Sequence, residues 1–419
     1  MVRDTSGRLL FVANEDPLPH VERIRVEEKL ASVLGPYARP DGVLTFRGDL
    51  GVQRLLQDPG ILTVTVEGDP VCLLDRRIVG SAWLEAPREH PAQPPRLVFA
   101  SMKGGVGRST ALALTASDLA RRNQNVLIVD LDLEAPGIGG MLLDDERAPR
   151  FGTIDYLLEN GLRPISDEDL GDFLATSALT TAGSGRVDIV PALGRSGLHH
   201  PENTLGKVAR AMIEDIEPQG GPVTLASQME QMIAQFVRLS TYDAVLIDSR
   251  AGWSEVAAPA ILSLGAAVLF FGTAQQQTVR GYASLFAALK PLALRARLNQ
   301  APAGWRFLFK AVLAKAAGTD DRAAWYRDEM YGIFAENLYD EDDPNQLDDR
   351  FTFGIDESNA PHWPLVIPFD AAFADFDPVR TPTLLSAPFY EHSYRPFLNG
   401  IDTLLASTKD NQERTENES

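Results

Sequence analysis

Cysteine is almost missing from this chain: Cys72 is the only one in 419 residues. One thiol cannot build an internal disulfide framework, nor can a single chain make a cysteine zinc site with it. Long apolar runs are missing too, and none approaches the roughly 20 residues that a membrane-spanning helix needs. The opening stretch, MVRDTSGRLLFVANEDPLPH, has charges interrupting its one short apolar run, so it lacks a secretory pattern. Positive charge is scarce. Lys and Arg total 39 against 58 Asp and Glu, for a net charge of −19. Residues 336–419 alone hold 18 acidic and 5 basic side chains. Such a balance repels the phosphates of nucleic acid and anionic lipid headgroups. These absences lead us to expect a globular, cytoplasmic protein with neither nucleic acid nor membrane as partner.

What is present is ordinary for a folded protein: 44% hydrophobic and 23% charged residues. The length suits one large domain or two smaller ones. Residues 86–96, APREHPAQPPR, are proline-rich and without apolar periodicity, which reads as an extended linker. Before it, RLLFVAN, ILTVTV and PVCLL read as strands. HVERIRVEEKLASVL reads as a helix with Val21, Ile24, Leu30 and Val33 near one face. The string LLDRRIVGSAWL fits a buried strand with a charged corner better than an interface. Residues 1–88 are therefore expected to form a small α/β module, with 89–95 as linker.

Beyond the linker, seven short apolar runs read as strands: 96–101, 125–132, 187–192, 242–249, 266–273, 307–313 and 364–369. Their continuous rather than alternating apolarity implies a sheet buried on both faces. Helical stretches at 110–122 and 222–238 fall between them, the rhythm of a doubly wound, mostly parallel sheet. This domain is expected over 96–405. Residues 318–362, with the acidic string YDEDDPNQLDD, read as a surface insertion, and 406–419 as a disordered tail.

The chemistry concentrates in SMKGGVGRST, residues 101–110. A phosphate-binding loop needs glycines so that backbone N–H groups can wrap the phosphates, with a strand before it and a helix N-terminus after it. RLVFAS supplies the strand, Gly104, Gly105 and Gly107 the loop, and STALALTASDLARR the helix. Ser109 stands where a hydroxyl would coordinate magnesium. Against the general pattern G-x-x-x-x-G-K-[ST], Met102 replaces the first glycine and Arg108 replaces the lysine.

KGGVGRST resembles the deviant Walker A loop of the MinD/ParA group of P-loop ATPases, which reads KGGVGK[ST] and carries an additional lysine, matched here by Lys103. VLIVDLDLEAPG (126–137) resembles the family's switch I segment, and GTIDYLLENG (152–161) the short helix beyond it. DIVPALG (188–194) resembles a further strand-end motif, and DAVLIDSRAG (243–252) is similar to the Walker B and switch II segment. The resemblance spans about 96–370 and leaves the N-terminal module uncovered. It implies a P-loop NTPase fold that binds ATP and Mg2+ through Gly104, Gly105, Val106, Gly107, Arg108, Ser109 and Thr110. Lys103 would reach phosphates across a homodimer interface, Asp132 would orient the attacking water, and Ser109 and Asp248 would hold the metal. VIPFD (366–370) resembles the loop that closes over the adenine, with Pro368 and Phe369 against the base. The preceding strand, FKAVLAKAAG, lacks the asparagine that the family often places there, which leaves the base open.

Phosphoryl transfer depends on positioning and charge neutralisation. Asp248, Ser109, Lys103 with Arg108, and Asp132 meet the needs for a metal-holding carboxylate, a loop hydroxyl, cations near the γ-phosphate and a water-orienting group. Asp130 could equally cap its own loop, and Arg250 reads as a solvated turn residue. An arginine is a bulkier planar fork than lysine's point charge, and an ångström of misplacement can cost on the order of a hundredfold in rate. Binding with slow hydrolysis is the expectation, since the backbone carries much of the cradle. The family's other offices fit poorly. There is no basic amphipathic tail and no cysteine set for a cluster, the charge count disfavours a basic DNA face though a local basic patch stays possible, and only Tyr390 and Tyr394 lie near the end. What remains is a nucleotide-controlled dimer acting on a protein partner, or a scaffold with a vestigial loop.

Overall fold

The computed structural model describes the chain except for residues 15–17, 59, 78, 178–184, 217–221, 299–302, 319, 341–349 and 419. It divides into two compact units, one of residues 1–86 with 288–303 and the other of residues 87–287 with 304–419.

The first unit holds β1 (Val2–Arg3), β2 (Leu9–Ala13), β3 (Leu44–Phe46), β4 (Ile61–Val66) and β5 (Asp69–Asp75), in the order β3-β2-β1-β5-β4. The expected helix forms over His20–Leu34, but none of its residues is buried. Val21 and Val33 are exposed, so its apolar positions are not a core face. The charged corner is as read: beyond β5, Arg76 pairs with Asp58 and Arg77 with Asp75.

In the second unit lie β6 (Arg96–Ser101), β7 (Val126–Leu131), β8 (Ala175–Thr176), β9 (Val187–Val190), β10 (Asp215–Ile216), β11 (Pro222–Val223), β12 (Ala244–Ser249), β13 (Ala267–Gly272), β14 (Phe309–Ala316) and β15 (Leu365–Pro368). Eight of them make one sheet, ordered β15-β14-β13-β6-β12-β7-β9-β8, with β10 and β11 as a separate pair. Every neighbour in the large sheet is parallel except β8 on β9. All seven apolar runs are strands of it. Residues of β6, β7, β12 and β13 are buried throughout, which only a sheet covered on both faces allows.

One face is covered by the helix Arg108–Arg121 and by Tyr390, Phe397, Leu398 and Ile401 of the long helix Ala387–Glu418. Phe270, packed against Tyr282 and Phe286, anchors aromatic packing elsewhere in this unit. Crossovers set all parallel strands to end at one edge, where α/β sheets carry their sites.

Three expectations about segments change. The proline-rich stretch is extended, but it is tied down: Arg88 N–H donates to Leu262 O and Ala92 N–H to Gly265 O. Residues 318–362 are more than a surface insertion, because the helix Asp320–Asn337 buries Tyr326, Met330, Ile333 and Phe334. Their spacing is that of one helical face, masked in the sequence by the charges around it. Most of the acidic string lies outside the described residues. The tail expected to be disordered continues the helix Ala387–Glu418. Among the described residues, no helix is long and apolar enough to cross a membrane.

Candidate nucleotide site

At the end of β6 the chain turns through residues 102–107 into the helix Arg108–Arg121. Gly105 and Gly107 take φ of 72° and 91°, the left-handed region that glycine enters without a Cβ clash. A β-carbon built on Gly104 or Gly105 would meet nothing within 4 Å, so the backbone bowl is open. Gly107 caps the helix, whose first N–H groups and dipole favour an anion in the bowl.

Arg108 does not point into that bowl. Its guanidinium is buried and lies across two carboxylates: Nε donates to Asp248 Oδ1 at 2.7 Å and Nη2 to Asp132 Oδ2 at 2.8 Å. A third nitrogen, Nη1, reaches Ser101 Oγ at 3.3 Å. Ser109 Oγ donates to Asp248 Oδ2 at 2.8 Å. The planar fork suits the arrangement, because it presents separate nitrogens to three separate acceptors. Asp132 is shared with Arg250, whose Nη1 is 3.3 Å away while its Nη2 lies 2.7 Å from Glu134. Arg250 is therefore a bridge to the segment that follows β7, not the solvated turn residue expected.

The electrostatics are those of crowded acids. Asp130, Asp132 and Asp248 are 0%, 6% and 1% exposed, with Arg108 at 8%. Burial, then the Asp248 charge, lifts the Asp130 carboxyl well above its ordinary value. Its Oδ1 accepts the Asp132 N–H at 3.0 Å, the loop-capping role left open above, and its Oδ2 has no partner. Burial also raises Asp248, with Arg108 and Ser109 opposing the rise. Both carboxylates hold Arg108 above its usual value against burial, so the guanidinium stays charged.

Beside the bowl lies a cavity of about 390 Å³, lined by Gly105, Gly107, Thr110, Lys315, Pro368 and Phe369 among others. Pro368 and Phe369 thus sit with the loop, and Phe369 is largely exposed. Val106 is buried under the loop. Lys103 does not line the cavity; its Nζ is 3.4 Å from Gln275 Oε1. Lys315 went unnoticed in the sequence, although it occupies the strand end where an asparagine was sought.

The residues fit a nucleotide and its metal. The bowl is open at Gly104 and Gly105, and Ser109 Oγ lies beside Asp248 as two hard oxygen donors of the kind magnesium takes. Among the described residues there is no cluster of His, Cys, Asp and Glu that could hold a metal alone.

Residues 95–171 match the family model ParA, described as NUBPL iron-transfer P-loop NTPase. Over that stretch, which holds β6, the loop and β7, the chain is similar to the ParA family of P-loop NTPases. No curated protein matches it by sequence. Solved structures resemble it at low identity. The ParA family ATPase of Chlorobium tepidum is 16% identical over 69% of this chain and 93% of its own, with a TM-score of 0.42. The cell division ATPase MinD of Pyrococcus furiosus is 17% identical over 74% and 100%, TM-score 0.44. The pNOB8 ParA, solved bound to nonspecific DNA, is 14% identical over 76% and 99%, TM-score 0.43. Scores this low carry no functional argument.

Proposed function

We propose that this chain is an ATP-binding, slowly hydrolysing switch whose nucleotide state sets dimerisation and thereby controls a protein partner. The observation that carries the reading is the Arg108 guanidinium clamped between Asp132 and Asp248 beside the loop. A loop arginine so engaged keeps the acidic pair neutralised and ordered, yet it occupies the oxygens that hydrolysis would use.

In this reading the backbone of 104–110 wraps the phosphates and Pro368 and Phe369 flank the base. Ser109 and Asp248 would hold magnesium, whose chemistry when bound is neutralisation of phosphate charge. Asp132 would orient water, but both its oxygens already accept from guanidinium groups, Arg108 on one and Arg250 on the other. Turnover then waits on those contacts opening, which makes it slow. Lys103, free of any ion pair among the described residues, would reach across to the partner subunit's nucleotide. The surplus of 19 acidic charges supports a protein rather than a polyanion as the controlled partner, although one neighbour was solved on nonspecific DNA.

The test is the mass by light scattering with ADP, ATP and a non-hydrolysable analogue, with phosphate release from the same samples. ATP alone should double the mass, with slow phosphate release, and Lys103→Ala should abolish the doubling while leaving binding intact. The same hold on Asp132 favours one second reading, a scaffold that binds without turnover. A mass indifferent to nucleotide with no phosphate released would select it.

A further inference from the structure

Lys315 stands at the end of β14, on the edge of the sheet where the loop lies. Its backbone is left-handed, φ 52°, which is uncommon for a residue with a side chain and worth tracing to a cause. The pairing of β14 with β15 shifts register between Leu313 and Ala316, an irregularity of the kind that re-aims a side chain. Here it turns Lys315 onto the loop. Nζ donates to Gly105 O at 2.6 Å, and Cε lies 3.9 Å from where a β-carbon on Gly107 would stand. Among the described residues no carboxylate lies within ion-pair distance of it.

Charge balance gives this geometry a meaning. The cation at the usual lysine place, Arg108, is buried and shared by two acids. It contributes no free positive charge to the bowl, and a nucleoside di- or triphosphate brings several negative charges there. Lys315 is the unpaired ammonium that lines the cavity and touches the loop. We propose that Lys315 is the phosphate-binding cation of this loop, exchanging the Gly105 carbonyl for a phosphate oxygen when nucleotide enters. The inference rests on the nucleotide reading above and deepens it: strand β14 supplies the charge that the arginine withholds.

The experiment is calorimetric titration of the full chain with ATP and ADP, in magnesium, at low and at high salt. Lys315→Gln should weaken both by about 10- to 100-fold at low salt, the weight of one charge-assisted hydrogen bond. The loss should shrink at high salt, because screening already weakens the contact in the unaltered chain. Lys315→Arg should keep most of the affinity. Lys315→Gly, which relaxes the left-handed backbone, should lose it with an unchanged or raised melting temperature, so unfolding does not account for the loss. Unaltered affinity in Lys315→Gln overturns the proposal and leaves the nucleotide reading standing. A loss indifferent to salt overturns it as well, since it marks a mere pin on Gly105. No binding by the unaltered chain overturns both.

Discussion

Replacing Arg108 by methionine removes the charge and both ionic hydrogen bonds while keeping an unbranched stem of similar bulk. Asp132 and Asp248 would then face each other and Asp130 with their strongest counter-ion gone. Breaking a buried pair from one side costs about 3–5 kcal/mol. The low end applies, because Asp132 keeps Arg250 and Asp248 keeps Ser109. At about 2 °C per kcal/mol for a domain this large, the melting temperature should fall by about 6 °C near neutral pH. The fall should depend on pH, and its sign follows from linkage. A carboxyl whose folded-state pKa is raised binds its proton more tightly folded than unfolded. It stabilises fully below the unfolded value, and that stability is lost as pH rises toward the folded value. Burial already raises Asp248, and losing Arg108 removes the largest influence opposing that rise. The Arg108→Met deficit should therefore be largest near pH 8 and smaller near pH 5, read by scanning calorimetry. An equal deficit at both, or none at pH 8, would refute the ionic account of this triad.

Two further substitutions probe buried charge in the same unit. Asp130→Asn keeps the acceptor for the Asp132 N–H and removes a carboxyl whose folded pKa is raised well above its usual value by burial. It should leave stability near unchanged in acid and raise the melting temperature by about 2–4 °C at pH 8; a loss at pH 8 would show that the acid is needed ionised. Lys310, on β14, donates to Ala360 O at 2.8 Å, and burial pushes its pKa down to about 8. A lysine with a depressed folded value costs stability below it and recovers that stability as pH rises toward the unfolded value. Lys310→Met should therefore melt about 2–4 °C higher near pH 7, the gain fading above pH 10 as the unaltered lysine sheds its proton. A gain that persists at high pH would point to packing instead.

Much of the architecture was legible because the strands of a doubly covered sheet are apolar on both sides. VLIV, AVLI and AVLFF need no partner to declare themselves, and KGGVGRST announces strand, turn and helix at once. What escaped was whatever depends on the third dimension. Tyr326, Met330 and Phe334 form a buried face inside a segment whose flanking acids read as surface. The helix His20–Leu34 has the period of a buried face and buries nothing. Arg250 was read from its turn alone, although Asp132 and Glu134, over a hundred residues away in sequence, give it its partners. Lys315 gave no signal at all, because a lone lysine at a strand end looks like any solvated one until the register shift turns it onto Gly105.

The arginine is better understood through the acids than through the loop. Three aspartates converge at the ends of β7 and β12, and among the described residues one cation, Arg108, is buried with them. A lysine there would offer one point charge on a flexible stem, without the fixed geometry that two carboxylates can share. The guanidinium holds both at once with parallel N–H groups, and it holds them before any ligand arrives. The arginine that departs from the loop's usual pattern is thus also a structural element, holding two buried acids together. It follows that the cost falls on the phosphate side of the loop, where positive charge must come from residues that the loop's own pattern does not include. Lys315 lines that side, with a neutral oxygen as its present partner. A neutral partner is given up more readily than a carboxylate, so Lys315 is the group poised to change partners when an anion enters.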